Sequence, residues 1–263
     1  MEMAKSFGPF AVEISDGIGH IVFGRPPVNA FALDTYAALG EIIDYVEKQD
    51  DIKVVVLSGS PSVRSWCGGA DLNDFVGLDR EGRHKRYAFI NETIPRFAAL
   101  NRPVIAAITG HTIGIGVMLA ACCDLRIASD TALFSTPEID YGLIAGSSRL
   151  LSHLGLPEAR IREMAYTGNR YTATDMKGFG FLNDVVARDA VVSVSLKLAS
   201  TIASKSLPAL IARKQAFVQL EGLSWLDGYL LSQGLSGTLV ELDDSRDGVL
   251  AFFEHRQATV TDR

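Results

Sequence analysis

Val104-Ile105-Ala106-Ala107-Ile108-Thr109-Gly110-His111-Thr112-Ile113-Gly114-Ile115-Gly116-Val117-Met118-Leu119-Ala120-Ala121-Cys122 is the stretch from which the fold is read. Residues 104–109 form an apolar, β-prone run of the kind that makes a buried strand. A glycine-punctuated turn over 110–116 follows, and a Gly-interrupted helical pattern runs over 114–122. The same order occurs upstream, where the apolar run 52–57 ends in Ser58-Gly59 and is followed by Trp66-Cys67-Gly68-Gly69-Ala70-Asp71-Leu72. Amides in the first turn of a helix have no intrahelical acceptor, and glycine lets a ligand approach the backbone closely. Two such turns side by side can aim two donors at one oxygen. Either turn alone is explained as well by tight strand-to-helix packing.

Working outward, residues 10–14 and Ile18–Phe23 flank Ser15-Asp16-Gly17, the chemistry of a hairpin turn. Residues 33–48 place Leu39, Ile42, Ile43 and Val46 at helical spacing ahead of the 52–57 strand, which gives a βαβ-type signal. A polar helical stretch over 83–100 precedes the 104–109 strand, and a further strand covers 125–128. From Asp189 onward only helical patterns remain, over 190–204, 208–220, 225–235 and 245–255. The expectation is an α/β core over 1–190 with a C-terminal helical extension over 191–263.

The chain has 263 residues, of which 48% are hydrophobic, enough for a substantial core. Its 25 Lys plus Arg against 31 Asp plus Glu give a net charge of −6 and a pI near 5.4. That balance argues against a protein built mainly to hold a phosphodiester backbone. No apolar run approaches the roughly 20 residues of a membrane helix, and the opening MEMAKSFGPF lacks the apolar core of a signal peptide. A soluble, cytoplasmic protein with no nucleic-acid or membrane partner is expected. Cys67, Cys122 and Cys123 are read as reduced packing residues. His20, His84, His111, His153 and His255 lack the paired spacing of a zinc site, so no metal is expected. The second glycine turn superficially matches part of a dinucleotide fingerprint, but it lies in mid-chain without an acidic strand end about 20 residues on.

Several blocks, in order over residues 10–186, resemble the crotonase superfamily, the enoyl-CoA hydratase/isomerase family. Arg25-Pro26 to Asn29-Ala30 is similar to its N-terminal motif, and Trp66 to Leu72 to its first glycine turn. Arg102 to Ile108, the glycine turn after it and Cys123-Asp124-Leu125-Arg126-Ile127-Ala128 resemble the central block. Thr136-Pro137-Glu138-Ile139 with Gly142-Leu143-Ile144 and Gly146 resembles the block that follows. The resemblance implies a spiral of ββα units with two roughly perpendicular sheets and C-terminal helices that drive a trimer or a dimer of trimers. It implies that the amides of Ala70 and Ile115 form an oxyanion hole for an acyl-CoA thioester. Val28, Ala30, Gly68, Ala70, Asp71 and Leu72 would line the site for the CoA moiety, with Gly114, Ile115 and Met118 also at the substrate. Asp71 is equally suited to cap a helix. CoA enters as part of the substrate, and no separate cofactor is implied.

The hydratases of this family use two glutamates. Here the second position is Glu138 and the first is Met118. Hydration needs a base for water and an acid for the α carbon, and a thioether supplies neither. Moving a double bond from position 3 to position 2 needs one carboxylate, so isomerisation with Glu138 as base is favoured. Hydration, an aromatic acyl-CoA hydratase-lyase reaction, and a non-catalytic acyl-CoA or RNA binder are the alternatives. For the last, Arg80, Arg83, His84, Lys85 and Arg86 would be the basic patch, although a solvated helix face or contact with CoA phosphates explains the same residues. Apolar shielding is expected to raise the Glu138 pKa.

Among weaker candidates, strand alternation would set Asp140 on the Glu138 side and Tyr141 away. His111 is read as a turn residue and Tyr229 as a packing residue. Gly146 stands where the family's dienoyl-CoA isomerases carry an aspartate, and Ser147-Ser148 replaces a small pair beside the acyl pocket. Residues 73–97 fall in the region that covers the acyl chain in the family.

Overall fold

The structure is a computed structural model, and it describes residues 4–261. The chain opens with β1 (Lys5–Phe7), β2 (Phe10–Ser15) and β3 (Ile18–Phe23), an antiparallel meander turned at Asp16 and Gly17, both with positive φ. Helix α1 (Leu33–Glu47) buries Leu39, Ile42, Ile43 and Val46, the predicted apolar stripe. Then a pattern repeats three times. β4 (Val54–Gly59) and β5 (Ser65–Cys67) lead to α2 (Arg80–Ala98). β6 (Val104–Ile108) and β7 (His111–Ile113) lead to α3 (Ile115–Cys122). β8 (Leu125–Ser129) and β9 (Leu133–Ser135) lead to α4 (Ser148–His153).

In each repeat the first strand joins one sheet and the second joins the other. The larger, seven-stranded sheet ends β3-β4-β6-β8-β11, while β9-β7-β5 run side by side in the four-stranded sheet. The strands β3 to β11 of the larger sheet pair in parallel. This is the spiral of ββα units that the resemblance implied. The remaining elements are α5 (Glu158–Thr167), β10 (Tyr171–Thr172), α6 (Ala173–Gly178) and β11 (Asp184–Val186), followed by α7 (Val191–Ala203), α8 (Leu207–Leu220), α9 (Trp225–Thr238) and α10 (Asp243–Phe253).

Both faces of the central strands are buried, which is why β4 and β6 appear in the sequence as unbroken apolar runs. Val55, Leu57, Val104, Ala106 and Ile108 enter the main core. Val54, Val56, Ile105 and Ala107 face the other way, onto Val191 and Ala199 of α7. Lys214 of α8 reaches back to Asp124 at 2.7 Å, and the same carboxylate accepts the Val104 amide, joining α8 to the start of β6. Helices α9 and α10 leave Trp225, Phe252 and Phe253 largely in solvent. No described helix is long and apolar enough to cross a membrane.

Three local expectations are corrected. The second glycine turn does not run directly from strand to helix but contains the short strand β7. The first leads into a single 3-10 turn, Leu72–Phe75, which Asp71 caps by accepting the Asn73 amide at 3.1 Å; the helix proper starts at Arg80, capped by Asp79. Pro137–Tyr141 is a 3-10 turn, not the approach to a strand. A proline at its start presets φ, and the left-handed Gly142 ends it.

Candidate active site

The first turn is held by a buried asparagine. Asn29 adopts a positive φ, and its side-chain amide donates to the carbonyls of Phe23, Ser65 and Trp66 at 3.1, 3.1 and 3.3 Å. The next residues pair with the turn itself, with Phe31 N–H on the Gly69 carbonyl and Asp71 N–H on the Phe31 carbonyl. A parallel bridge of this form uses the groups on either side of Ala70 and leaves the Ala70 amide out. Gly68 permits the close approach, since a Cβ there would stand 2.6 Å from the Val28 carbonyl oxygen.

The second turn is set by Gly114, whose amide donates to the Ser135 carbonyl at 2.8 Å and whose φ of 55° is one that L side chains rarely adopt. Ile115 is then the first residue of α3, so its amide lacks an intrahelical acceptor. The turns lie against each other: a Cβ on Gly69 would meet the Ile113 carbonyl at 3.4 Å, and one on Gly116 would come within 2.9 Å of Cys67.

Ala70, Gly114, Ile115, Met118 and Glu138 line one cavity of about 370 Å³. Oε1 of Glu138 lies beside Gly114, at 2.8 Å from where a Cβ would be. Its Oε2 is buried without a hydrogen-bond partner. Burial pushes the Glu138 carboxyl above its ordinary pKa, with its own backbone amide partly opposing the shift. Glu138 is the only carboxylate among the described residues lining the cavity. Facing into the same space are the thioether of Met118, beside Gly146, and the buried Ser147. A carboxylate kept basic in an apolar cavity, near two turns with unpaired amides, is suited to moving protons on a carbon acid whose conjugate base carries charge on oxygen.

Other expected site residues lie elsewhere. Val28, Ala30, Gly68, Asp71 and Leu72 do not line the cavity, and Val28 and Leu72 are exposed. Asp71 pairs with Arg25 at 2.9 Å, which holds its carboxyl below the usual carboxylate range, and Arg25 also donates to the Ala30 carbonyl. Asp140 does not share the Glu138 side. In the 3-10 turn it is exposed and directed at Gly168, because a period near three replaces the strand alternation assumed for it. His111 and Tyr229 also lie outside the cavity. Burial, with Arg64, Arg170 and Arg188 nearby, lowers the His111 pKa.

Sequence reasoning missed Tyr36, Phe75 and the inward role of Arg86, all of which line the cavity. The charged run on α2 is not uniformly a solvated face, since Arg86 is only 5% exposed. A signal was present: Arg86, Ile90 and Ile94 recur every four residues and form the stripe that α2 turns to the cavity.

Two adjacent glycine turns on a ββα spiral, over a cavity with one half-buried carboxylate, define a site class found in acyl-thioester enzymes. Residues 13–263 match the model of the enoyl-CoA hydratase/isomerase family, and the chain belongs to that family. It is 31% identical over 251 residues to an (E)-benzylidenesuccinyl-CoA hydratase of Thauera aromatica, covering 94% of this chain and 97% of that protein. It is 32% identical over 212 residues to a 2,3-dehydroadipyl-CoA hydratase of Escherichia coli, covering 78% and 79%. A solved enoyl-CoA hydratase structure from Geobacillus kaustophilus superposes with a TM-score of 0.93 at 26% identity, over 99% of each chain.

Proposed function

We propose that this chain converts 3-enoyl-CoA thioesters to 2-enoyl-CoA thioesters by a one-base mechanism. The observation that carries this reading is the pairing of Glu138, the only carboxylate among the described cavity-lining residues, with the thioether of Met118 in the same space. The Glu138 carboxylate removes a proton from C2, and the electron pair of that C–H bond spreads through the C3–C4 double bond onto the thioester oxygen. The amides of Ala70 and Ile115 donate to that oxygen as its charge grows, where preorganised donors are worth most. Glu138, now protonated, returns the proton to C4, and the double bond comes to rest between C2 and C3. No atom is gained or lost, and no second acid is required.

In this reading Val28, Ala30, Gly68, Asp71 and Leu72 contact the CoA moiety outside the cavity. The exposed apolar side chains of α9 and α10 are buried between copies in a trimer.

Hydration is the second reading, favoured by the names of the two relatives described above, both hydratases. It requires a water relay to deliver the proton that Met118 cannot supply.

The test is to incubate the protein in deuterated water with paired 3-enoyl-CoA and 2-enoyl-CoA esters, short, long and aromatic, beside Glu138→Gln. Conjugated product without hydroxyacyl product, lost in the variant, is the expected result. Rapid hydroxyacyl formation would replace isomerisation with hydration.

A further inference from the structure

The Glu138 cavity shares a wall with a second one. Ile94, Pro95, Met118 and Gly146 line the first cavity, and the same four residues line another of about 530 Å³ that reaches between α2, α3 and α4 to the C-terminal end of α8. Ala70, Gly114, Ile115 and Glu138 line the first alone, so the second lies beyond the reacting groups. Part of the shared wall is a single methyl group. Gly146 contributes no side chain there, and the Met118 Cε lies over it, at 3.2 Å from where a Cβ would be. Met118 stands three residues after Ile115 on α3, on the helix face that begins at the oxyanion donor. Its side chain is half-buried and unbranched, and a thioether changes rotamer where a β-branched side chain would be held. Past the wall, Ala98, Cys122 and Leu150 continue the apolar lining. His153 and Glu221, 3.6 Å apart and with side chains 46% and 59% exposed, mark the solvent rim of the second cavity.

We propose that the second cavity is the subsite for the distal part of the acyl chain, which passes Met118 over Gly146, so that the preferred substrates are CoA esters of long, methyl-ended acids. The inference rests on the acyl-CoA reading and specifies its substrate class. The thioester is held at the glycine turns, Glu138 and Met118 flank the carbons next to it, and the carbons further along lie against Ile94 and Pro95 of α2 and then Ala98 and Leu150. Each methylene that leaves water along this path adds to affinity, whereas a chain that ends inside the first cavity gains nothing from the second.

The test is equilibrium binding of saturated esters, which need no turnover. Butanoyl-, octanoyl-, dodecanoyl- and hexadecanoyl-CoA are titrated below their micelle range, each by displacement of a fluorescent butanoyl-CoA derivative so that only the shared site is read. The wild-type protein is expected to bind hexadecanoyl-CoA at least about 10-fold more tightly than octanoyl-CoA. Ala98→Trp fills the second cavity from α2 and is expected to bring that ratio to near one. Ala98→Lys, which sets a charge in the path of the chain, serves the same purpose if Ala98→Trp does not fold, and the wild-type length dependence needs no variant. Affinity that stops rising at octanoyl-CoA, or a long-chain gain that survives both substitutions, overturns the proposal. Failure of every ester to bind would remove the acyl-CoA reading as well, whereas binding without a long-chain gain removes only this inference.

Discussion

Gly114 and Glu138 share a space that admits no further atom: a Cβ on the glycine would stand 2.8 Å from the carboxylate Oε1. The same glycine holds the positive φ that turns the chain into α3 and presents the Ile115 amide. Gly114→Ala should therefore reduce kcat by more than about 10-fold through displacement of Glu138, with about 1–2 kcal/mol of backbone strain visible in denaturant melts. Gly146→Ala is the control, because its Cβ would meet only the flexible tip of Met118 at 3.2 Å. Equal losses in the two variants would show that the 114–138 contact has no special place in the reaction.

Burial raises the Glu138 pKa, so the folded protein holds that proton more tightly than the unfolded chain does. The stabilising contribution is whole below the unfolded value and is lost as pH rises through the folded one. Glu138→Gln has no proton to lose, and its Tm should gain on that of the parent as pH goes from about 4 to about 8. Activity runs the opposite way, since the base acts when ionised, and kcat/KM should rise with pH along a limb displaced above the usual carboxylate range. A Tm difference independent of pH would contradict the assigned burial of the charge.

Met118→Glu places a second carboxylate in the cavity. Hydroxyacyl-CoA formation from a 2-enoyl-CoA should then exceed that of the parent by at least about 10-fold, the low end of what a positioned acid or base contributes being nearer 100-fold. Product analysis by mass reads the change directly. No gain in a folded variant would mean that position 118 does not face the reacting carbons.

Phe252 and Phe253 pack edge to face on α10 at 76% and 73% exposure, an apolar pair that the proposed trimer would cover. Sedimentation should give the mass of a trimer or of two, and Phe252→Glu with Phe253→Glu should lower it. A parent that sediments as a monomer would dismiss the assembly.

The strands over 54–59 and 104–108 were legible because burial on both faces leaves a continuous apolar trace, and α7 because it turns an apolar stripe to the sheet. β5 and β7 were hidden because three residues inside a glycine turn carry no period. Glu138 stood out through the block that surrounds it, whereas Asp140 was misplaced by treating a 3-10 turn as extended chain. The inward position of Arg86 was hidden because charge in a run of charge looks like solvent-facing surface. Only its spacing from Ile90 and Ile94 on α2 marks it as inward.

The buried amide of Asn29 touches the end of β3 and both residues that lead into the first glycine turn, while Phe31 and Asp71 pair across it. Residues 28–31 and 65–71 are thereby one frame, in which the backbone beside the exposed Val28 and the turn that carries the Ala70 amide share the same hydrogen bonds.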